Sequence, residues 1–120
     1  MLNEEQIEKS LDEHLRRNWE ILKNLKEKGV ELRSALKTEH LFLTPRQLEA
    51  GKLALTLEKK GFNIIEIEPA ETKEGREGWA VVGEVEMTLE AAADPATAEE
   101  LIKIAATFEA RYEGWGAEVE

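Results

Sequence analysis

Tyr112-Glu113-Gly114-Trp115-Gly116-Ala117-Glu118-Val119-Glu120 combines two glycines, two large aromatics and a short alternating run. The spacing reads as a helix that stops at Gly114, a turn, and a final strand from Trp115 to Val119. A strand in that position must join an existing sheet. The fold is therefore decided by the neighbours that earlier segments can offer it.

Working back from it, Asp94-Pro95-Ala96-Thr97 opens the last helix, with either Asp94 before proline or Thr97 with Glu100 as its cap. Leu101, Ile104 or Ala105, Phe108 and Tyr112 make its buried side. Two strands precede it, Phe62 to Glu68 and Trp79 to Glu90. Ile65 and Ile67 alternate with acids in the first, and Val81, Val85, Met87 and Leu89 in the second. Gly83 marks a bulge or a close neighbour. Pro69 to Gly78 holds five charges and two glycines and forms an exposed loop.

Earlier still, Thr38 to Leu43 is a strand with Leu41 and Leu43 on one face and His40 and Phe42 on the other. Thr44-Pro45-Arg46-Gln47 starts a helix whose apolar side is Leu48, Leu53 or Ala54, Leu55 and Leu57, and Lys59-Lys60-Gly61 ends it. The order from Thr38 is β-α-β-β-α-β. That order predicts an α+β fold, a ferredoxin-like split βαβ sandwich with both helices on one sheet face.

The first segment is a long amphipathic helix. Asn3 and Gln6 form a capping box, Ile7, Leu11, Leu15, Trp19, Leu22 and Leu25 form a stripe, and Gly29 stops it. The stripe needs a cover, either the rest of the chain or a second copy in a homodimer. Charge places a boundary near Lys37. Residues 1–37 hold eight cations and eight anions, whereas residues 38–120 hold eight and eighteen, which is the whole net charge of −10. The division is thus 1–37, helix and connector, and 38–120, the sandwich.

Composition excludes much chemistry. The 120 residues contain no cysteine, so thiol catalysis, thiolate metal sites and a disulfide framework are absent. Two histidines without a nucleophile grouping suggest no catalytic site, no metal site and no cofactor, hence no enzyme. The field of an acidic domain repels phosphate backbones, so direct nucleic-acid binding is not expected, and a basic segment of a protein is the natural partner. The polar, acidic start and the lack of any long apolar run imply a cytoplasmic protein with no membrane contact.

Glu39-His40, Thr44-Pro45, Lys60-Gly61-Phe62, the acidic hairpin and above all Tyr112-Glu113-Gly114-Trp115-Gly116 resemble the regulator of ribonuclease E activity B family. The resemblance covers about two thirds of the chain. It implies a small acidic regulator that binds the scaffold region of ribonuclease E and inhibits RNA processing or decay. The long helix before the sandwich departs from that pattern. A small-ligand sensor, or a general protein-interaction module of the same fold with a different partner, is the alternative.

The candidate partner-binding residues are Glu66, Glu68, Glu84 and Glu86, whose carboxylates meet across the hairpin on the open sheet face, together with His40 and Phe42. A solvated acidic face explains the four carboxylates better than a hard-cation site, since calcium-loop spacing is absent. Tyr112, Gly114, Trp115 and Gly116 read as a structural motif that locks the last helix to the sheet.

Overall fold

The computed structural model describes residues 3–72 and 75–117. It is an α+β fold with a four-stranded antiparallel sheet and, among the described residues, four helices. The elements run α1 (Glu4–Glu27), β1 (Ala35–Thr44), α2 (Gln47–Lys59), β2 (Asn63–Glu71), β3 (Glu77–Thr88), α3 (Leu89–Ala92), α4 (Pro95–Thr107) and β4 (Arg111–Ala117). The strand order is β2-β3-β1-β4. The last strand thus pairs with the first.

Local signals act where they are strongest. Asn3 accepts from the Gln6 amide at 2.8 Å while Gln6 accepts from the Asn3 amide at 3.0 Å, closing both halves of a capping box. Gly29 at φ 82° and Gly61 at φ 100° stop α1 and α2 in the left-handed conformation, each followed by an amide that bonds back into the last turn. Asp94 is the cap chosen for α4, accepting from the Ala96 amide at 2.8 Å with Pro95 in the first turn.

Other segments depart from expectation. The last helix ends at Thr107, well before Gly114, because Glu109 adopts φ 57° and the Ala110 amide bonds to the Ala105 carbonyl at 2.8 Å. Tyr112 therefore lies on β4 with Trp115, while the run beyond Ala117 falls outside the described residues. Thr44 is the end of β1, and α2 starts at Gln47 behind Arg46, which makes no side-chain cap. The two strands of the hairpin reach Glu71 and Glu77, shortening the loop between them. Beyond Thr88 the chain turns into α3, whose first turn is held by the Thr88 hydroxyl accepting from the Ala91 amide.

The core lies between one sheet face and the helices. Phe42, Val81 and Tyr112 from the sheet meet Leu53, Ala54 and Leu57 of α2 and Leu101, Ile102 and Ala105 of α4, with Ile7 and Leu11 of α1 against them. A second cluster joins Trp115, Leu89 and Ala92 to Ile21, Leu22 and Leu25 of α1. Burying each large apolar side chain is worth about 1.5–3 kcal/mol, so these contacts outweigh the exposed ion pairs at about 0–1 kcal/mol each. The α1 stripe is thus covered within the chain at Ile7, Leu11, Leu22 and Leu25. Its buried line is not the one expected, however, for His14 and Asn18 are buried while Trp19 is 64% exposed.

Two more apolar assignments change. Leu48 and Leu55 point away from the sheet, at 65% and 61% exposure, because α2 buries Ala50, Leu53, Ala54 and Leu57 instead. In β2 the register against β3 shifts between Ile64 and Glu66, leaving Ile65 as an extra residue. Ile64 rather than Ile65 then packs on the core, with Phe62 beside it. Gly83 has a close neighbour, since a Cβ there would meet Phe62 Cδ2 at 3.1 Å.

Candidate functional site

Among the described residues no helix packs on the second sheet face, and its register fixes what it presents. Three rows cross it: Glu68, Ala80, Leu43, Arg111; Glu66, Val82, Leu41, Gly114; and Asn63, Glu84, Glu39, Gly116. Glu86 follows on β3 opposite Lys37. Alternation puts these side chains together because successive residues of a strand point to opposite faces. The centre is apolar, with Leu41, Leu43 and Val82 partly exposed, and the carboxylates border it.

A shallow groove of about 450 Å³ runs along this face, lined by Arg17, Glu39, Leu41, Glu66, Val82 and the Glu113–Gly116 stretch. Leu41 is 38% exposed on its floor. Arg17 closes the β4 end, its Nη1 donating to the Glu113 carbonyl. Lys37 stands 4.0 Å from Glu84, but at 71% side-chain exposure this contact holds neither residue firmly.

The structure places Glu66, Glu68, Glu84 and Glu86 on the open face, as expected, although none faces another directly across the hairpin. Glu66 opposes Val82, Glu68 opposes Ala80 and Glu84 opposes Asn63. His40 and Phe42 are corrections. Both are fully buried on the helix side of β1, together with Thr38 and Thr44, whereas Leu41 and Leu43 take the open face. Phe42 belongs to the main core cluster.

His40 sits there because its polar atoms are satisfied. The Thr38 hydroxyl donates to the Val85 carbonyl at 2.9 Å, so it accepts from His40 Nε2–H at 2.9 Å, and His40 Nδ1 accepts from the Tyr112 hydroxyl at 2.9 Å. This chain of bonds fixes a neutral tautomer. Desolvation lowers the imidazole pKa to about 4, and burial also pushes the Tyr112 phenol up. The Phe62 ring meets His40 edge-on at 5.4 Å. The cluster is packed shut, so its role is to hold the sheet to the helices.

The aromatic motif has a second partner that sequence reading missed, namely α1. His14 Nε2–H donates to the Tyr112 carbonyl at 2.9 Å and its ring stacks on Tyr112 at 4.7 Å. Burial lowers the His14 pKa against the opposing pull of that carbonyl, with Arg17 adding to the lowering. One turn on, Arg17 binds the Glu113 carbonyl and Asn18 accepts from Trp115 Nε1 at 2.8 Å. Positions 14, 17 and 18 share one helix side, and that spacing was the available signal. Between Leu41 and Phe42 the register against β4 shifts, leaving Glu113 as an extra residue, and Gly114 takes φ 129°.

Among the described residues no three His, Asp or Glu side chains form a group able to hold a metal ion, and no helix is long and apolar enough to cross a membrane. Compared with protein families, residues 16–117 match the family described as Regulator of ribonuclease activity B. The chain belongs to this family. Among curated proteins, none matches it. The family match spans α1 from Arg16 through the end of the described β4, and so includes both the aromatic motif and the helix residues Arg17 and Asn18 that grip it.

Proposed function

We propose that this protein is a non-enzymatic cytoplasmic regulator that binds a basic segment of ribonuclease E and thereby restrains RNA processing. Family membership supports the regulatory role. The observation that carries the binding site is the uncovered sheet face, where Leu41, Leu43 and Val82 are bordered by Glu39, Glu66, Glu68, Glu84 and Glu86. Such a face offers apolar contact at its centre and carboxylates for cations around it.

The strand order and the placing of the helices on one face support a ferredoxin-like split βαβ sandwich with one added N-terminal helix. That architecture leaves one sheet face free.

The test is capture of purified ribonuclease E scaffold fragments, with cleavage of a substrate RNA followed in parallel. Binding should weaken as salt rises, since exposed charges are screened over roughly 8 Å at physiological ionic strength. Replacing Glu66, Glu68, Glu84 and Glu86 together by glutamine should weaken capture at least about tenfold and restore cleavage. Unchanged capture by that variant would place the site elsewhere.

A further inference from the structure

Gly114 and Gly116 both line the open-face groove, yet the backbone requires only one of them. Gly114 holds φ 129°, and a Cβ there would come within 2.7 Å of Arg17 Nη1. Gly116 lies outside the positive-φ region, and a Cβ on it would meet nothing within 4 Å. Glycine inside a strand weakens it, and a common reason to find one there is the close approach of a ligand. The space above Gly116 is the groove itself.

The lining defines what fits. Leu41, Val82 and the bare backbone at Gly114 and Gly116 give a flat apolar floor, and the carboxylates along it are Glu39 on β1, Glu66 on β2 and, on β4, Glu113, which already faces Arg111 at 3.9 Å. Arg17 holds the β4 end against the Glu113 carbonyl, so a positive head group is favoured toward the β2 side. A volume of about 450 Å³ is within the range of roughly 300–1,000 Å³ typical of small-ligand sites. An arginine matches this best. Its stem and planar guanidinium lie flat on such a floor, it is less strongly hydrated than an ammonium, and it can share hydrogen bonds between two carboxylates.

We infer that the groove over Gly116 is the seat of a single arginine side chain from the partner's basic segment. The inference rests on the proposed use of the acidic face and adds the residue it selects. An arginine lying there excludes any side chain at position 116. Glu39 and Glu66 hold its head group, while Glu68 and Glu86 attract the flanking segment.

The experiment titrates the full chain with a short capped peptide bearing one central arginine between lysines, and with its arginine-to-lysine and arginine-to-glutamate counterparts, reading backbone amide shifts. The expected result is saturable shifts at Leu41, Val82 and Gly116, with the arginine peptide binding at least fivefold more tightly than the lysine peptide. Gly116→Leu should fold with an unchanged melting temperature and lose at least tenfold in affinity, and Glu39→Gln with Glu66→Gln should abolish the arginine preference. Equal binding of arginine and lysine peptides, or full affinity in Gly116→Leu, overturns the seat. Arginine-specific binding without capture of ribonuclease E fragments would retain the seat and remove only the named partner.

Discussion

Asn18 and Trp115, 97 positions apart, share a buried hydrogen bond in which the indole N–H donates to the amide oxygen at 2.8 Å. One helix residue thereby completes the strand motif.

Removing the acceptor while keeping the bulk isolates that bond. Asn18→Leu strands the Trp115 N–H in an apolar site, and a buried unsatisfied donor costs about 1–3 kcal/mol. Urea unfolding followed by circular dichroism should show a lower midpoint with an unchanged slope. A midpoint equal to the parent's would mean that water reaches the indole.

Acid should unfold this protein through His40. An ordinary histidine titrates near 6.5, whereas the buried His40 titrates at about 4, so between these values the unfolded chain binds a proton that the folded chain refuses. Stability is therefore complete above about pH 6.5 and falls as pH drops toward 4, by roughly 3 kcal/mol in all. The lowered His14 acts in the same direction. Tyr112 adds the mirror effect in base, since its raised pKa makes the unfolded chain lose a proton first above about pH 10. Melting temperatures from pH 7 to 4 in the parent and in His40→Gln test this, with the variant expected to show the shallower acid slope.

Gly114 and Gly116 should respond oppositely to alanine. At φ 129° any Cβ is strained, and Gly114→Ala should cost about 1–3 kcal/mol even if the Arg17 side chain moves aside. Gly116→Ala should change stability by less than about 0.5 kcal/mol. Paired thermal melts decide it.

Two tryptophans of the helix–strand contact region should separate in fluorescence. Trp19 is 64% exposed and Trp115 only 7%. Trp79 is half-buried, so Trp19→Gln should remove the most acrylamide-quenchable part of the emission but not all of it, and shift stability by less than about 0.5 kcal/mol, whereas Trp115→Ala should cost about 3–5 kcal/mol.

What the sequence made legible is what short-range chemistry controls. Asn3 with Gln6, Gly29, Lys60-Gly61 and Asp94-Pro95 each satisfy backbone groups within a turn, so their reading needs no tertiary knowledge. The faces of β1 were inverted because hydropathy ranks Leu41 and Leu43 above Thr38, His40 and Thr44. The partners that make those polar groups buriable, Val85, Tyr112 and Phe108, lie 47, 72 and 64 positions away. The same limit hid His14 and Asn18 on α1. Tyr112 was assigned to the helix because the true stop, Glu109 at φ 57°, carries no glycine to mark it. Arg46 does bind the Glu109 carboxylate at 2.6 Å, another pairing invisible along the chain. The acidic set Glu66, Glu68, Glu84 and Glu86 was legible from alternation alone, but the apolar middle of that face was not.

The extra residue at Glu113 has one more consequence. In an unbroken strand an odd spacing separates two side chains to opposite faces, and Tyr112 and Trp115 are three apart, yet both are buried and both touch α1. The bulge changes the parity of the strand midway, so one helix can grip two anchors of unequal parity while Gly114 and Gly116 both fall on the outer side. Deleting Glu113 would set the two aromatics two apart and keep both inside by simple alternation, but it would take away the carbonyl that Arg17 binds. What the extra residue adds is thus a backbone acceptor for α1, independently of which side chain stands at position 113.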